Sequence, residues 1–139
     1  MNMKRVGLLG CAVALVLGLS QVPLEATWPV HELVVRGEGV CGTAGPVGRY
    51  TLRWTVVNPE VNGETTIVSA TESGAYEGTV SIEPNPLPAG ANGTGTDGPV
   101  AGNTTGAVTL NVEYVTAGQV RGQATGELYL EGNCVVPES

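Results

Sequence analysis

Apolar and polar side chains alternate with a period of two through this chain, and no other feature constrains its fold as tightly. In "YTLRWTVV", Tyr50, Leu52, Trp54 and Val56 share one face, while Thr51, Arg53 and Thr55 share the other. In "AVTLNVEYV", Val108, Leu110, Val112 and Tyr114 oppose Thr109, Asn111 and Glu113. In "QVRGQATGELYLE", Val120, Gly122, Ala124, Gly126, Leu128 and Leu130 oppose Arg121, Gln123, Thr125, Glu127 and Tyr129. Successive side chains of a strand point to opposite faces, so each stretch reads as a strand with one buried and one wet face. Antiparallel sheets are built from such strands. Weaker strand patterns cover His31–Arg36, Glu64–Thr71 and Tyr76–Glu83. Helical periodicity is missing beyond the N-terminal segment. Asn62-Gly63 suits a type I′ turn, in which both central residues take positive φ, and Thr116–Gly118 ("TAG") suits a second hairpin closure.

The stretch Pro86–Gly106 carries six glycines in 21 residues and could pass for a linker. A linker needs a module on each side, and only 33 residues follow Gly106. These amount to one hairpin, which does not stand alone in water. We therefore read Ala91–Asp97 as a glycine-interrupted edge strand and Gly98–Gly106 as the turn out of it, the most mobile part of the fold. The total is about seven short strands in roughly 110 residues, the count of an immunoglobulin-like antiparallel β-sandwich. The small centre of the last strand (Gly122, Ala124, Gly126) leaves room for a bulky partner, and Trp54 is the expected one. Gly122→Leu is then expected to overpack the interior.

The N-terminus fixes the expected compartment. Lys4 and Arg5 precede a 14-residue apolar run, Val6–Leu19. That is shorter than the roughly 20 residues of a membrane-spanning helix and has the form of a secretory signal peptide. Cleavage is expected after Ser20 or Ala26. "LLGC" (Leu8–Cys11) has the outline of a lipoprotein box, but most of the apolar run follows Cys11 instead of preceding it. Residues 1–26 are thus the expected signal and 27–139 one domain of 139 − 26 = 113 residues. Without the signal the chain has four arginines against twelve acids, a net −8. Such a balance disfavours nucleic acid and anionic membrane surfaces. Cys41 and Cys134 remain, an even pair in an oxidising compartment, and are expected to form a disulfide.

"TLRWTVVNPEVNGETTIVSATESG" (Thr51–Gly74) and "LPAGANGTGTDGPVAGNTTGAVTLNVEYVTAGQVRGQATGELYLEGNC" (Leu87–Cys134) carry a family resemblance. The chain resembles small immunoglobulin-like domains of actinobacterial secreted and cell-wall-associated proteins. In those, a W-T-V-x-N strand, a later L-P-A-G, a V-P-G-T-type turn, a Thr/Val hairpin and a closing cysteine recur in this order. The resemblance covers about residues 50–134 and implies the fold and a surface location. It brings no catalytic or ligand residues. The chain departs from the cell-wall version by ending at "VVPES" without a sorting signal, apolar tail or basic stop, so covalent wall attachment by that route is not expected.

The chemistry available is narrow. After residue 26 there is one histidine (His31), one aspartate (Asp97), no lysine and no cysteine beyond the expected bridge. No G-x-S-x-G turn presents a serine, no His/Cys set suits zinc, and "GANGTG" lacks the lysine of a phosphate loop. Calcium at Asp97 would need six to eight oxygens. A glycosidase-like pair needs opposed carboxyl groups about 5–10 Å apart in a cleft, whereas Glu60, Glu64, Glu113 and Glu127 fall on polar faces or in turns. No cofactor, metal or catalytic residue is therefore expected. Trp28 and Tyr129 are the candidate ligand contacts, because alternation turns Trp54, Tyr50 and Tyr114 inward. Asn92 ("NGT") and Asn103 ("NTT") match the glycosylation sequon. The expected function is contact at or outside the cell envelope, with an unknown protein or an envelope polysaccharide as partner. The alternatives are a carbohydrate-binding module using Trp28 and Tyr129, and an exported inhibitor or hydrolase accessory whose contact loop is Pro84–Gly106.

Overall fold

A computed structural model describes residues 31–42 and 48–135. The expected signal peptide and Trp28 lie outside the described residues. Seven strands follow one another: β1 (Val34–Gly42), β2 (Arg49–Val57), β3 (Thr66–Gly74), β4 (Gly78–Thr79), β5 (Asn92–Ala101), β6 (Thr105–Val115) and β7 (Arg121–Glu131). They form two antiparallel sheets, one in the order β1-β2-β5 and the other β4-β3-β6-β7. The chain crosses between sheets after β2, β4 and β5, which makes this an immunoglobulin-like sandwich. The short fourth strand pairs with the third, in the sheet that also holds the last two. Among the described residues no helix is long and apolar enough to cross a membrane.

The alternation of β2 and β6 builds the core directly. Leu52, Trp54 and Val56 of β2 and Val108, Leu110 and Val112 of β6 are at most 1 % exposed. In β7 the buried set is Ala124, Leu128 and Leu130. Val120 falls before that strand and is exposed, because the hairpin closes there: Thr116 donates its N–H to the Val120 carbonyl at 2.9 Å. The Thr116–Gly118 turn is where the sequence places it.

The ring that fills the space over Gly122 is that of Tyr114, not Trp54. Trp54 has Gly37 of β1 as its cross-strand neighbour, and a Cβ on Gly37 would run into the indole ring. Gly122 lies opposite Tyr114, and its Cβ would stand 2.5 Å from the Tyr114 ring. Alternation orders faces but does not say which small residue meets which ring. Gly122→Leu still overpacks the interior, now against Tyr114.

Asn62-Gly63 is not a type I′ hairpin turn either. Glu60–Asn62 forms a short 3-10 turn in the crossover from β2 to β3. The Asn62 side chain is occupied elsewhere: its Oδ1 accepts from the His31 N–H at 3.0 Å and its Nδ2 donates to the His31 carbonyl at 2.7 Å. Beside it, buried Asn58 donates from Nδ2 to the carbonyls of Gly63 (2.8 Å), Leu87 (3.3 Å) and Pro88 (3.0 Å). Asn58 Oδ1 accepts from Thr65 Oγ1 at 3.2 Å. The asparagine that ends the W-T-V-x-N run is thus the hub that ties the β2–β3 crossover to the Leu87–Ala91 segment.

The glycine-rich stretch is the edge strand β5, paired with β2. It extends further than its sequence suggests, continuing past Gly98–Pro99 through a bulge to Ala101. Only Gly102–Thr104 turns, with the Thr104 N–H donated to the Ala101 carbonyl at 3.0 Å. Its glycines mark close approach. A Cβ on Gly93 would stand 2.7 Å from both Ile82 and Leu87, and one on Gly95 would stand 2.5 Å from Val80. The segment Val80–Leu87 passes directly beneath the strand and leaves no space for side chains there. Its own backbone is tied on both sides: Glu83 and Thr94 exchange N–H···O bonds at 2.9 Å, and Leu87 and Thr65 do so at 2.7 and 2.9 Å.

Cys41 of β1 and Cys134 just beyond β7 are bonded, with their Cα atoms 5.4 Å apart and 93 residues between them in sequence. Nearby, Tyr50 Oη donates to Asn133 Oδ1 at 3.0 Å.

Candidate functional site

Tyr129 projects from the outer face of β7 and is 69 % exposed, the orientation expected from alternation. Its cross-strand neighbour is the small Ala107, so one face of the ring is open. Trp28, its proposed companion, lies outside the described residues, so no aromatic platform is defined.

The outer face of the three-stranded sheet is more developed. Outward positions carry Arg36 and Glu38 on β1, Arg53 and Thr55 on β2, and Thr94 and Thr96 on β5. Together they border an open groove of about 560 Å³. Strand pairing arranges them in two rows across the sheet, Arg36–Thr55–Thr94 and Glu38–Arg53–Thr96. Arg53 Nη1 lies 3.6 Å from Glu38 Oε2, with both side chains more than half exposed. Exposed pairs of this kind contribute about 0–1 kcal/mol and exchange readily. The groove can donate hydrogen bonds from guanidinium groups and exchange them through hydroxyls.

One ionisable residue was not legible as a site residue. Glu72 of β3 is 2 % exposed and points into the sandwich. Strict alternation from Ile67 would turn it outward, but a bulge between Ile67 and Ser69 reverses the parity. Trp54 Nε1 donates to Glu72 Oε2 at 2.8 Å. Glu72 Oε1 is buried with no donor among the described atoms, and the Asp97 carboxyl of β5 stands beside it, in hydrogen-bonding reach. A Cβ on Gly78 would lie 2.7 Å from Asp97 Oδ2 and 3.1 Å from Glu72 Oε1, so a glycine makes room for the pair. Burial, then the neighbouring Asp97, push the Glu72 pKa up to about 7, against the opposing pull of the Trp54 N–H. A proton on Oε1 gives that atom its missing bond, to Asp97. Tyr76 packs against the same pair, and burial and then the two carboxyls raise its phenol pKa.

This is the closest thing to the carboxylate pair of a glycoside hydrolase, and its geometry does not suit that chemistry. Both groups of such a pair must face a substrate. Here one Glu72 oxygen is held by an indole inside the core, and the other is covered by Asp97. The pair ties β3 to β5 across the two sheets. Glu60, Glu64 and Glu127 are exposed as expected, and Glu113 accepts from Gln123 Nε2 at 3.2 Å on the outer face. Among the described residues no group of three or more His, Cys, Asp or Glu could hold a metal ion.

Comparison with known proteins finds no matching family model, no matching curated protein and no matching solved structure.

Proposed function

We propose that the protein is an exported, non-enzymatic immunoglobulin-like domain that works by surface contact at or outside the cell envelope, in the manner of the actinobacterial domains it resembles. The observation that carries this reading is the distribution of its polar groups. In the one close carboxyl pair among the described residues, Glu72 is buried and held by the Trp54 indole, whereas both outer sheet faces present hydroxyls and charges to solvent, and one of them an exposed tyrosine. The Cys41–Cys134 bond supports export, since such bonds persist in oxidising compartments. The reading is tested by incubating the mature domain with isolated envelopes and culture supernatant. It expects saturable retention on envelope material; passage through every fraction unretained contradicts it.

A second reading, a carbohydrate-binding module, is favoured by the open ring of Tyr129. It expects Tyr129→Ala to abolish binding across a polysaccharide panel, and unchanged binding removes it. The segment Pro84–Gly106, the contact loop of the inhibitor alternative, is bound into the sandwich through Leu87 and β5.

A further inference from the structure

We propose that the groove on the outer face of the β1-β2-β5 sheet binds a carboxylate-bearing polysaccharide between Arg36 and Arg53. This inference rests on the surface-contact reading and names its ligand class. Charge is the first argument. Of the four arginines after residue 26, Arg36, Arg49 and Arg53 all stand on this face. The strand segments of the sheet contain two acids, Glu38 and Asp97, and Asp97 is turned inward to Glu72. An acidic chain has therefore gathered most of its positive charge on one surface.

The shape and lining give the second argument. Each of the two rows spans three strands, about 10 Å at the usual strand spacing. Along β5 both outward groove positions are threonines, so one wall is hydroxyl throughout. The outward side chains bordering the groove are guanidinium, hydroxyl or carboxylate, with no aliphatic or aromatic anchor of the kind that peptide recognition depends on. Sugar hydroxyls pair with all three groups. Arg36 has no ion-pair partner among the described residues, while Arg53 is held only by the exposed Glu38. A guanidinium recognises a carboxylate through two parallel N–H···O bonds. Glu38 on the rim disfavours a doubly charged phosphomonoester more than a single carboxylate, and a phosphodiester, singly charged like the carboxylate, is distinguished from it by the glycerol-phosphate comparator. The Tyr129 surface belongs to the other sheet, so the two candidate glycan sites are separable.

Backbone and arginine side-chain amide NMR of the mature protein provides the test, with oligogalacturonate as probe. An uncharged oligogalactan and a glycerol-phosphate polymer serve as comparators. Expected are shifts at the Arg36 and Arg53 Nε–H groups and at the Gly37 and Gly95 amides with oligogalacturonate. Arg36→Gln and Arg53→Gln, both at exposed positions, should each weaken binding about tenfold, and Glu38→Gln should preserve or strengthen it. Shifts clustered at Tyr129, equal or stronger binding of either comparator, no shift at all, or affinity unchanged in both arginine variants would overturn the proposal. If envelope retention survives in the double arginine variant, the groove is wrong and the contact reading stands. If the wild type is never retained, the contact reading itself fails.

Discussion

The two open sides of the sandwich are closed by different chemistry. On one side β1 lies against β7, where Gly37 and Leu128 meet without an intervening side chain and the Cys41–Cys134 bond locks the margin. On the other side the segment Val80–Leu87 runs between β3 and β5 and is stitched to both by hydrogen bonds. Asn85 mimics a strand residue there: its side chain accepts from the Ile67 N–H at 2.9 Å and donates to the Ile67 carbonyl at 3.0 Å. The Glu72–Asp97 pair lies within the same side. The first closure depends on redox state and the second on protonation, so each is strong under a different condition. Both fit the proposed location outside the cell, where thiols are oxidised and pH varies.

Breaking the covalent side should have the largest effect. A loop of 93 residues corresponds to about 4–5 kcal/mol in the chain-entropy account, and about 2–5 kcal/mol is typical when a native bridge is removed from a small secreted domain. Thermal melting with and without reductant should therefore differ by more than about 10 °C; coincident curves would contradict the clamp. On the stitched side, Asn58→Ala takes one of two donors from each of three loop carbonyls and the acceptor from Thr65 Oγ1, and should cost about 2–4 kcal/mol in urea unfolding. A loss below about 0.5 kcal/mol would remove Asn58 as the hub.

Protonation sharpens the comparison further. The folded chain raises Glu72 from 4.5 to about 7, so between those values it holds a proton that the unfolded chain releases. This contribution is complete below about pH 4.5 and is lost as pH rises through 7. Its size is on the order of 2 kcal/mol. Unfolding free energies at pH 5 and pH 8 should show the wild type weaker at pH 8, with Glu72→Gln much less dependent on pH. Parallel pH profiles for the two proteins would mean that the pair is not protonated as described. The smallest effect is expected from Asn85→Ala, about 1–2 kcal/mol for two lost hydrogen bonds beside the strand edge, measured by the same unfolding assay in oxidised protein.

Much of the covalent side was legible in the sequence, and much of the stitched side was not. Tyr50–Val56 and Val108–Tyr114 alternate without interruption, so their faces follow directly from the period of a strand. Two cysteines remaining after the expected signal peptide leave one simple pairing. Glu72 escaped because a single bulge reverses which residues face inward, and nothing local to Ile67–Ser69 announces it. Asn62-Gly63 carries a hairpin signal, but the Asn62 amide is used by His31, a contact 31 residues distant. The glycines of β5 signalled an interrupted edge strand. Their physical cause, the close passage of Val80–Leu87, is a tertiary fact. For the candidate surfaces, the sequence located Tyr129 correctly on an outer face. The Arg36–Arg53 groove emerges only when β1, β2 and β5 are placed side by side.

Amide hydrogen exchange at one fixed pH, oxidised against reduced, tests the two-sided closure most directly. Reduction should speed exchange at Cys134, Gly102 and the β1 amides well before it affects Glu83, Leu87 and Thr94. Uniform acceleration across both groups, or earlier loss at Leu87 and Thr94, would contradict separate closures.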